Sequence, residues 1–214
     1  FPYTTLFRSR HASRSVLMHI INAIKTGDVN EAPRLEAMLS HTIQSNKERE
    51  MAYVRQATHD ALTGCKNRRA FDSDIAELLN AQQPFAMALV DIDNFKSIND
   101  TLGHLTGDIV LRNVAREGIQ IMQPHHVSVY RYGGEEFAVI FQAEQMSSAL
   151  SLLEAWRTAV EKRLWREENL RVTFSGGLGE WHFEPLEQFV GSVDNALYSA
   201  KQQGKNRIVR TSIS

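Results

Sequence analysis

The chain has 214 residues, 43% of them hydrophobic and 23% charged, which suits one globular domain of ordinary size plus an extension. Lys and Arg number 24 against 25 Asp and Glu, and a formal charge of -1 argues against a polybasic surface for nucleic acid or membrane. The single cysteine, Cys65, excludes an internal disulfide framework and fits a reducing compartment.

Residues 1–9 read as the translation of a short-read sequencing adapter and are set aside from fold reasoning. With no initiator methionine, this leads us to expect a natural N-terminal region, a sensor domain or a membrane anchor, upstream of Arg10. The stretch from Val16 to Ile24 is broken by His19 and Asn22 and is too short to span a bilayer, so no membrane contact is expected from this segment. Residues 10–58 are predicted to form a helical connector. Val16, Ile20 and Ile24 share a stripe, Gly27-Asp28 breaks it, Pro33 suits a first helical turn, and Leu39 and Ile43 recur at four-residue spacing. That stripe is thin, and it fits a weakly pairing dimer connector as well as a solvated surface helix.

A second domain is expected over 59–214. Thr63-Gly64 interrupts the helical pattern, and Asn67 can cap a helix running from Arg68 to about Asn80. Phe85 to Asp93 is apolar on both faces until it ends in acids, which predicts a central strand delivering Asp91 and Asp93 to one face at its carboxyl end. Gly107-Asp108 is expected to open a helix with Val110, Leu111 and Val114 inward. Val127–Tyr132 and Phe137–Phe141 read as strands around Gly133-Gly134, a two-residue hairpin whose central glycines need positive φ. Ser147 to Trp165 reads as an amphipathic helix, Leu170–Ser175 as a strand ending at Gly176-Gly177, Pro185 to Gly204 as a helix, and Ile208-Val209 as a last strand. The order β-α-β-β-α-β predicts an α+β fold of the ferredoxin-like split βαβ type, with its helices on one face of the sheet.

Glu135 and Glu136 follow directly on the glycine pair, and Gly133 and Gly134 leave room for a ligand to approach the backbone. If the hairpin neighbours the strand ending in Asp91 and Asp93, these carboxylates make a hard-oxygen site suited to Mg²⁺ and phosphate. Like charges so close would otherwise repel and take up protons. Lys201 and Lys205 fit two roles, helix C-terminal cations or phosphate ligands. Asn99 and Asp108 could read the O6 and N1/N2 edge of guanine, or serve as a turn residue and a helix cap.

These motifs together resemble the GGDEF family of diguanylate cyclases, with a GGEEF sequence at 133–137. The likeness runs over roughly 58–210 and is carried by Asp60-Ala61-Leu62-Thr63-Gly64, Asn67-Arg68-Arg69, Asp91 to Lys96, Asn99-Asp100, Gly103-His104, Gly107-Asp108, Arg131-Tyr132, Ala200-Lys201 and Gly204-Lys205-Asn206-Arg207. The resemblance implies a nucleotide-cyclase or palm-type fold and condensation of two GTP into cyclic di-GMP across a homodimer, in the cytoplasm or tethered to the inner membrane. It implies that Asp91, the Ile92 carbonyl and Glu135 hold two Mg²⁺ or Mn²⁺ per half-site, and that Glu136 assists. The backbone at Asn94 and Phe95, with Lys96, Lys201 and Lys205, is implied to bind phosphates. Asn99 and Asp108 are implied to bind guanine. A degenerate domain that binds GTP or product without turnover is the competing reading, and another nucleotidyl cyclase a third. Cys65 stands where the family usually has Leu, and the family's inhibitory Arg-x-x-Asp falls on Pro124-His125-His126-Val127, so feedback through that site is not expected.

Overall fold

The computed structural model describes residues 18–19 and 32–211. The reading of residues 1–9, and the stripe of Val16, Ile20 and Ile24, lie outside the described residues. The chain forms two compact units, Phe1–Ala57 and Thr58–Ser214.

In the first unit, helix α1 (Ala32–Thr58) is unbroken, with Pro33 in its first turn, where a missing amide hydrogen costs nothing. Leu39, Ile43, Met51, Tyr53 and Val54 along it are all exposed.

The second unit is built on a five-stranded sheet in the order β2-β3-β1-β4-β5. The strands are β1 (Phe85–Ile92), β2 (Ser128–Gly133), β3 (Glu136–Gln142), β4 (Phe174–Glu180) and β5 (Ile208–Arg210). The helices are α2 (Arg68–Asn80), α3 (Phe95–Leu102), α4 (His104–Met122), α5 (Ala149–Lys162) and α6 (Leu186–Gln202). β1 runs antiparallel to both β3 and β4, which is the split βαβ core, and α6 then carries the chain to β5, parallel to β4. Helix α2 covers the expected residues because Asn67 accepts a hydrogen bond from the Ala70 amide at 3.0 Å.

Helices cover both faces of the sheet, not one. Side chains of β1 alternate between two cores. Ala86, Ala88, Val90 and Ile92 pack with Val110, Val114, Leu153 and Trp156 from α4 and α5. Phe85, Met87 and Leu89 pack with Phe71, Ile75, Phe189 and Val193 from α2 and α6. Helices α2 and α6, the latter leading to the added strand β5, supply the second layer, which explains why β1 is apolar throughout.

Two strand predictions shift. β4 starts at Phe174 and runs through Gly176, Gly177 and Gly179, instead of ending at the glycines. A Cβ at Gly177 would lie 2.2 Å from the Val193 carbonyl oxygen and 2.6 Å from the Leu197 amide nitrogen, so the glycine allows α6 to press on the strand. The hairpin also differs: Gly133 pairs with Glu136, which puts the turn at Gly134-Glu135, and neither Gly133 nor Gly134 has positive φ. An irregularity in the pairing between Arg131 and Gly133 absorbs the shift.

Candidate active site

The hairpin turn meets the carboxyl end of β1 through strand pairing. Asp91 lies opposite Glu136 in the β1–β3 register, and the Ile92 amide donates to the Glu135 carbonyl at 3.4 Å. Asp91 is therefore flanked by Glu136 at the start of β3 and by Glu135 in the turn. Burial pushes its carboxyl above the usual range, Lys201 pulls it down, and Glu135 and Asp93 push it up again. Glu136 is raised for the same first reason, burial, reinforced by Asp91 and Glu135 and opposed by Lys201. Lys201, in the last turn of α6, holds Asp91 at 2.9 Å. The site carries more negative charge than its lysine relieves.

The turn is braced from outside. Arg131 donates to the Gly134 carbonyl from Nε at 3.2 Å and Nη2 at 2.9 Å, and from Nη1 to Asp60 at 3.0 Å. Burial alone would raise the Asp60 carboxyl, but Thr63, through its hydroxyl and amide, and Arg131 outweigh it and hold the group below the ordinary range. Sequence reasoning noted Asp60 and Arg131 without finding this brace, because only the fold joins them across 71 residues.

Asp93 does not join the acidic group through a metal-like arrangement. It is 5% exposed and accepts from the Thr173 and Ser175 hydroxyls, both at 2.7 Å, and from the Asn206 amide at 3.1 Å. It ties β1 to the start of β4 and to the loop after α6. That loop carries Lys205, whose ammonium donates to the Asn94 side-chain oxygen. Asn94 has φ 56 and precedes α3, so the first amides of that helix, beginning with Phe95, are free of helical partners. The Phe95 side chain is 8% exposed and belongs to the core, leaving only its backbone to a ligand, while Lys96 is exposed. Gly134 is open: a Cβ there would meet nothing within 4 Å, whereas one at Gly133 would lie 2.9 Å from the Glu136 carboxylate.

Asn99 and Asp108 come from α3 and the start of α4, which fold back at Gly103, φ 84. The Asn99 amide lies directly against Gly107, the residue before Asp108. Asp108 faces Arg112 only loosely, at 3.9 Å. Both therefore keep polar atoms that another partner could take. α4 starts at His104, earlier than expected, so Asp108 is inside its first turns and not at its cap.

Three carboxylates, a backbone carbonyl at Ile92 and nearby lysines make a donor set of the kind that holds hard cations with phosphates. Among the described residues no three acidic, histidine or cysteine side chains are yet drawn together around one point. The residues nevertheless fit, since a divalent cation between Asp91 and Glu135 would offset the mutual repulsion that adds to burial in raising Asp91 and Glu136.

Residues 57–207 match the family model "Diguanylate cyclase, GGDEF domain". The chain belongs to the GGDEF diguanylate cyclase family. It is similar to diguanylate cyclase VdcA of Vibrio cholerae, 37% identical over 169 residues, covering 76% of this chain and 50% of that protein. It is 31% identical to diguanylate cyclase DgcZ of Escherichia coli over 216 residues, covering 96% of this chain and 72% of DgcZ. The solved coiled coil and GGDEF domain of DgcB from Caulobacter crescentus, in complex with c-di-GMP, superimposes with a TM-score of 0.70 at 33% identity, covering 84% of this chain and 99% of that one. The chain thus spans about half of VdcA and somewhat under three quarters of DgcZ. Among the described residues, no helix of this GGDEF protein is long and apolar enough to cross a membrane.

Proposed function

We propose that this chain condenses two GTP into cyclic di-GMP with release of pyrophosphate. The observation that carries the reading is the strand register that sets Asp91 opposite Glu136, next to the turn residue Glu135, in a domain that also holds Asn99 and Asp108 near one another in sequence at the α3–α4 fold-back. Two Mg²⁺ or Mn²⁺ ions held by Asp91, the Ile92 carbonyl and Glu135 would supply Lewis acidity at the α-phosphate and lower the pKa of the attacking 3′-hydroxyl. Glu136 adds negative charge beside them. Lys96, Lys201 and Lys205, with the free amides near Asn94 and Phe95, would hold the phosphates, as a helix N-terminus and point charges do. Lys201 would exchange Asp91 for a phosphate oxygen when substrate binds. Asn99 and Asp108 would read guanine, Gly133 would bring its backbone close to the nucleotide, and the open space at Gly134 would admit it.

Each 3′-hydroxyl attacks the α-phosphorus of the other GTP and each pyrophosphate departs, so two domains must face one another. Pairing through α1 would raise their effective concentration and orient them. The exposed Leu39, Ile43, Met51 and Val54 support that role for α1. GTP as substrate implies the cytoplasm, and a sensor upstream of the connector would act through the dimer. Pro124 and Val127 bring no charge to the inhibitory position, so product should not inhibit there.

Purified protein with GTP and Mg²⁺ should form cyclic di-GMP, and Glu135→Gln should abolish it. Mg²⁺ should raise the melting temperature of the wild type and leave that of Glu135→Gln unmoved. No product from a dimeric preparation refutes the activity, and equal turnover by the variant refutes the metal assignment.

A further inference from the structure

A cavity of about 330 Å³ lies between the sheet and α6, against the signature hairpin. Leu89, Val190 and Leu197 line it with apolar surface, and Tyr132 adds an aromatic wall. That ring is held in place: the Arg68 guanidinium lies 3.6 Å from its centroid and Phe71 meets it edge-on at 5.0 Å. Three further lining residues, Glu136, Glu187 and Asp194, are acids. Glu187 is in the first turn of α6, where the helix dipole welcomes a negative charge. Asp194 is seven residues on, in mid-helix, and all three carboxylates are exposed to solvent, so they form the open rim of the cavity over its apolar floor.

Among the described residues none of these three carboxylates has an ion pair, and no Lys or Arg lines the cavity. Arg68 is engaged by Asp72 at 2.9 Å and Lys201 by Asp91 at 2.9 Å. Gly191 leaves the cavity open, because a Cβ built there meets nothing within 4 Å. The combination is an apolar and aromatic floor for a short hydrocarbon, with carboxylates placed to receive a positive head.

We propose that this cavity binds a small organic ammonium, a cation carrying an alkyl body of a few carbons. An apolar pocket alone would take a neutral molecule equally well, and an acidic surface alone would take an inorganic cation; together they select the amphiphilic cation. The site shares Glu136 with the acidic centre, and it goes beyond the cyclase reading without depending on it.

The test is titration of the isotope-labelled full chain with n-butylammonium, followed by amide NMR in saturating Mg²⁺, with n-butanol as the neutral control. Saturable shifts are expected at Tyr132, Val190, Gly191 and Asp194. Glu187→Gln and Asp194→Asn should each weaken binding by roughly threefold, the size of a partly exposed charge contact. Gly191→Leu, which replaces a helical glycine with a better helix former, should abolish the shifts by filling the cavity. Equal binding of n-butanol, undiminished binding by both charge variants, shifts confined to Asp91 and Glu135, or no saturation would each overturn the assignment. These outcomes leave cyclic di-GMP synthesis untouched, so failure here is distinct from failure of the proposed activity.

Discussion

With Asn99 reading guanine as proposed, Gly107→Ala should separate the binding of guanine from the stability of the fold. A Cβ at Gly107 would stand 1.9 Å from Asn99 Oδ1, 3.0 Å from its Cγ and 3.2 Å from Phe95 Cζ. Ordinary contact needs about 3.5 Å, so the amide oxygen must retreat by roughly 1.5 Å. The clashing atom ends a short rotatable side chain that is partly exposed, and it can swing away without moving the backbone. Alanine in a helix interior then gains up to about 1 kcal/mol over glycine, so the melting temperature should hold or rise slightly. The cost falls on the substrate. Losing one or two hydrogen bonds of about 1 kcal/mol each raises the KM for GTP roughly five- to thirtyfold. Inosine triphosphate lacks the exocyclic amine that Asp108 would read, so its KM should rise by the same factor and the preference for GTP should survive. Steady-state pyrophosphate release with both nucleotides, beside a melting curve, measures all of this. A KM for GTP within about twofold of wild type, in a folded chain, would refute the placement of Asn99 on the base.

The same substitution at Gly177 should have the opposite effect: its Cβ meets backbone of α6 at 2.2 Å, the helix has to shift, and chemical denaturation should show a loss of about 3 kcal/mol or more. Arg131→Gln removes the brace between Asp60 and the turn and should cost about 1–3 kcal/mol, with Asp60→Asn adding little in the double variant. Because the Asp60 carboxyl is depressed in the fold, its stabilisation is present above its usual value of 3.8 and is lost as pH falls through the lower folded value. Acid melting curves of wild type and Arg131→Gln should therefore converge at low pH. Glu136→Gln should raise the melting temperature at pH 7, since the folded carboxyl is raised and its ionisation becomes a cost as pH climbs above the usual 4.5. That gain should vanish in acid, and a lower melting temperature at pH 7 would contradict the charge crowding at the site.

The elements that sequence reading located best are those with a local cause. Asn67 before Arg68 names the start of α2, and the unbroken apolar run of Phe85–Ile92 names a strand covered on both sides. The misreadings have tertiary causes. Gly176-Gly177 looked like a strand end because glycine punctuates chains, but here it yields to the backbone of α6, which no local pattern announces. Asp91 and Asp93 read as an equivalent pair, yet Thr173, Ser175 and Asn206, all distant in sequence, draw Asp93 into a structural knot. The Gly-Gly dipeptide correctly marked a hairpin and misassigned its register by one residue.

That one residue matters for the chemistry. Side chains alternate along a strand, so a turn over Gly133-Gly134 would have made Glu135 the first strand residue and Glu136 its opposite-facing neighbour. With the turn at Gly134-Glu135, Glu136 enters the ladder opposite Asp91, while Glu135 stays in the turn with its carbonyl on the Ile92 amide. A turn residue can reorient its carboxylate toward an arriving cation at small cost, whereas a residue fixed in the ladder holds its charge in place. Under the proposed activity the two acids would therefore have different tasks, Glu135 as the ligand that closes on metal and Glu136 as the fixed negative charge that makes the site attract it. Arg131 is what keeps the distinction: its two bonds to the Gly134 carbonyl fix the turn's backbone and leave the Glu135 side chain free.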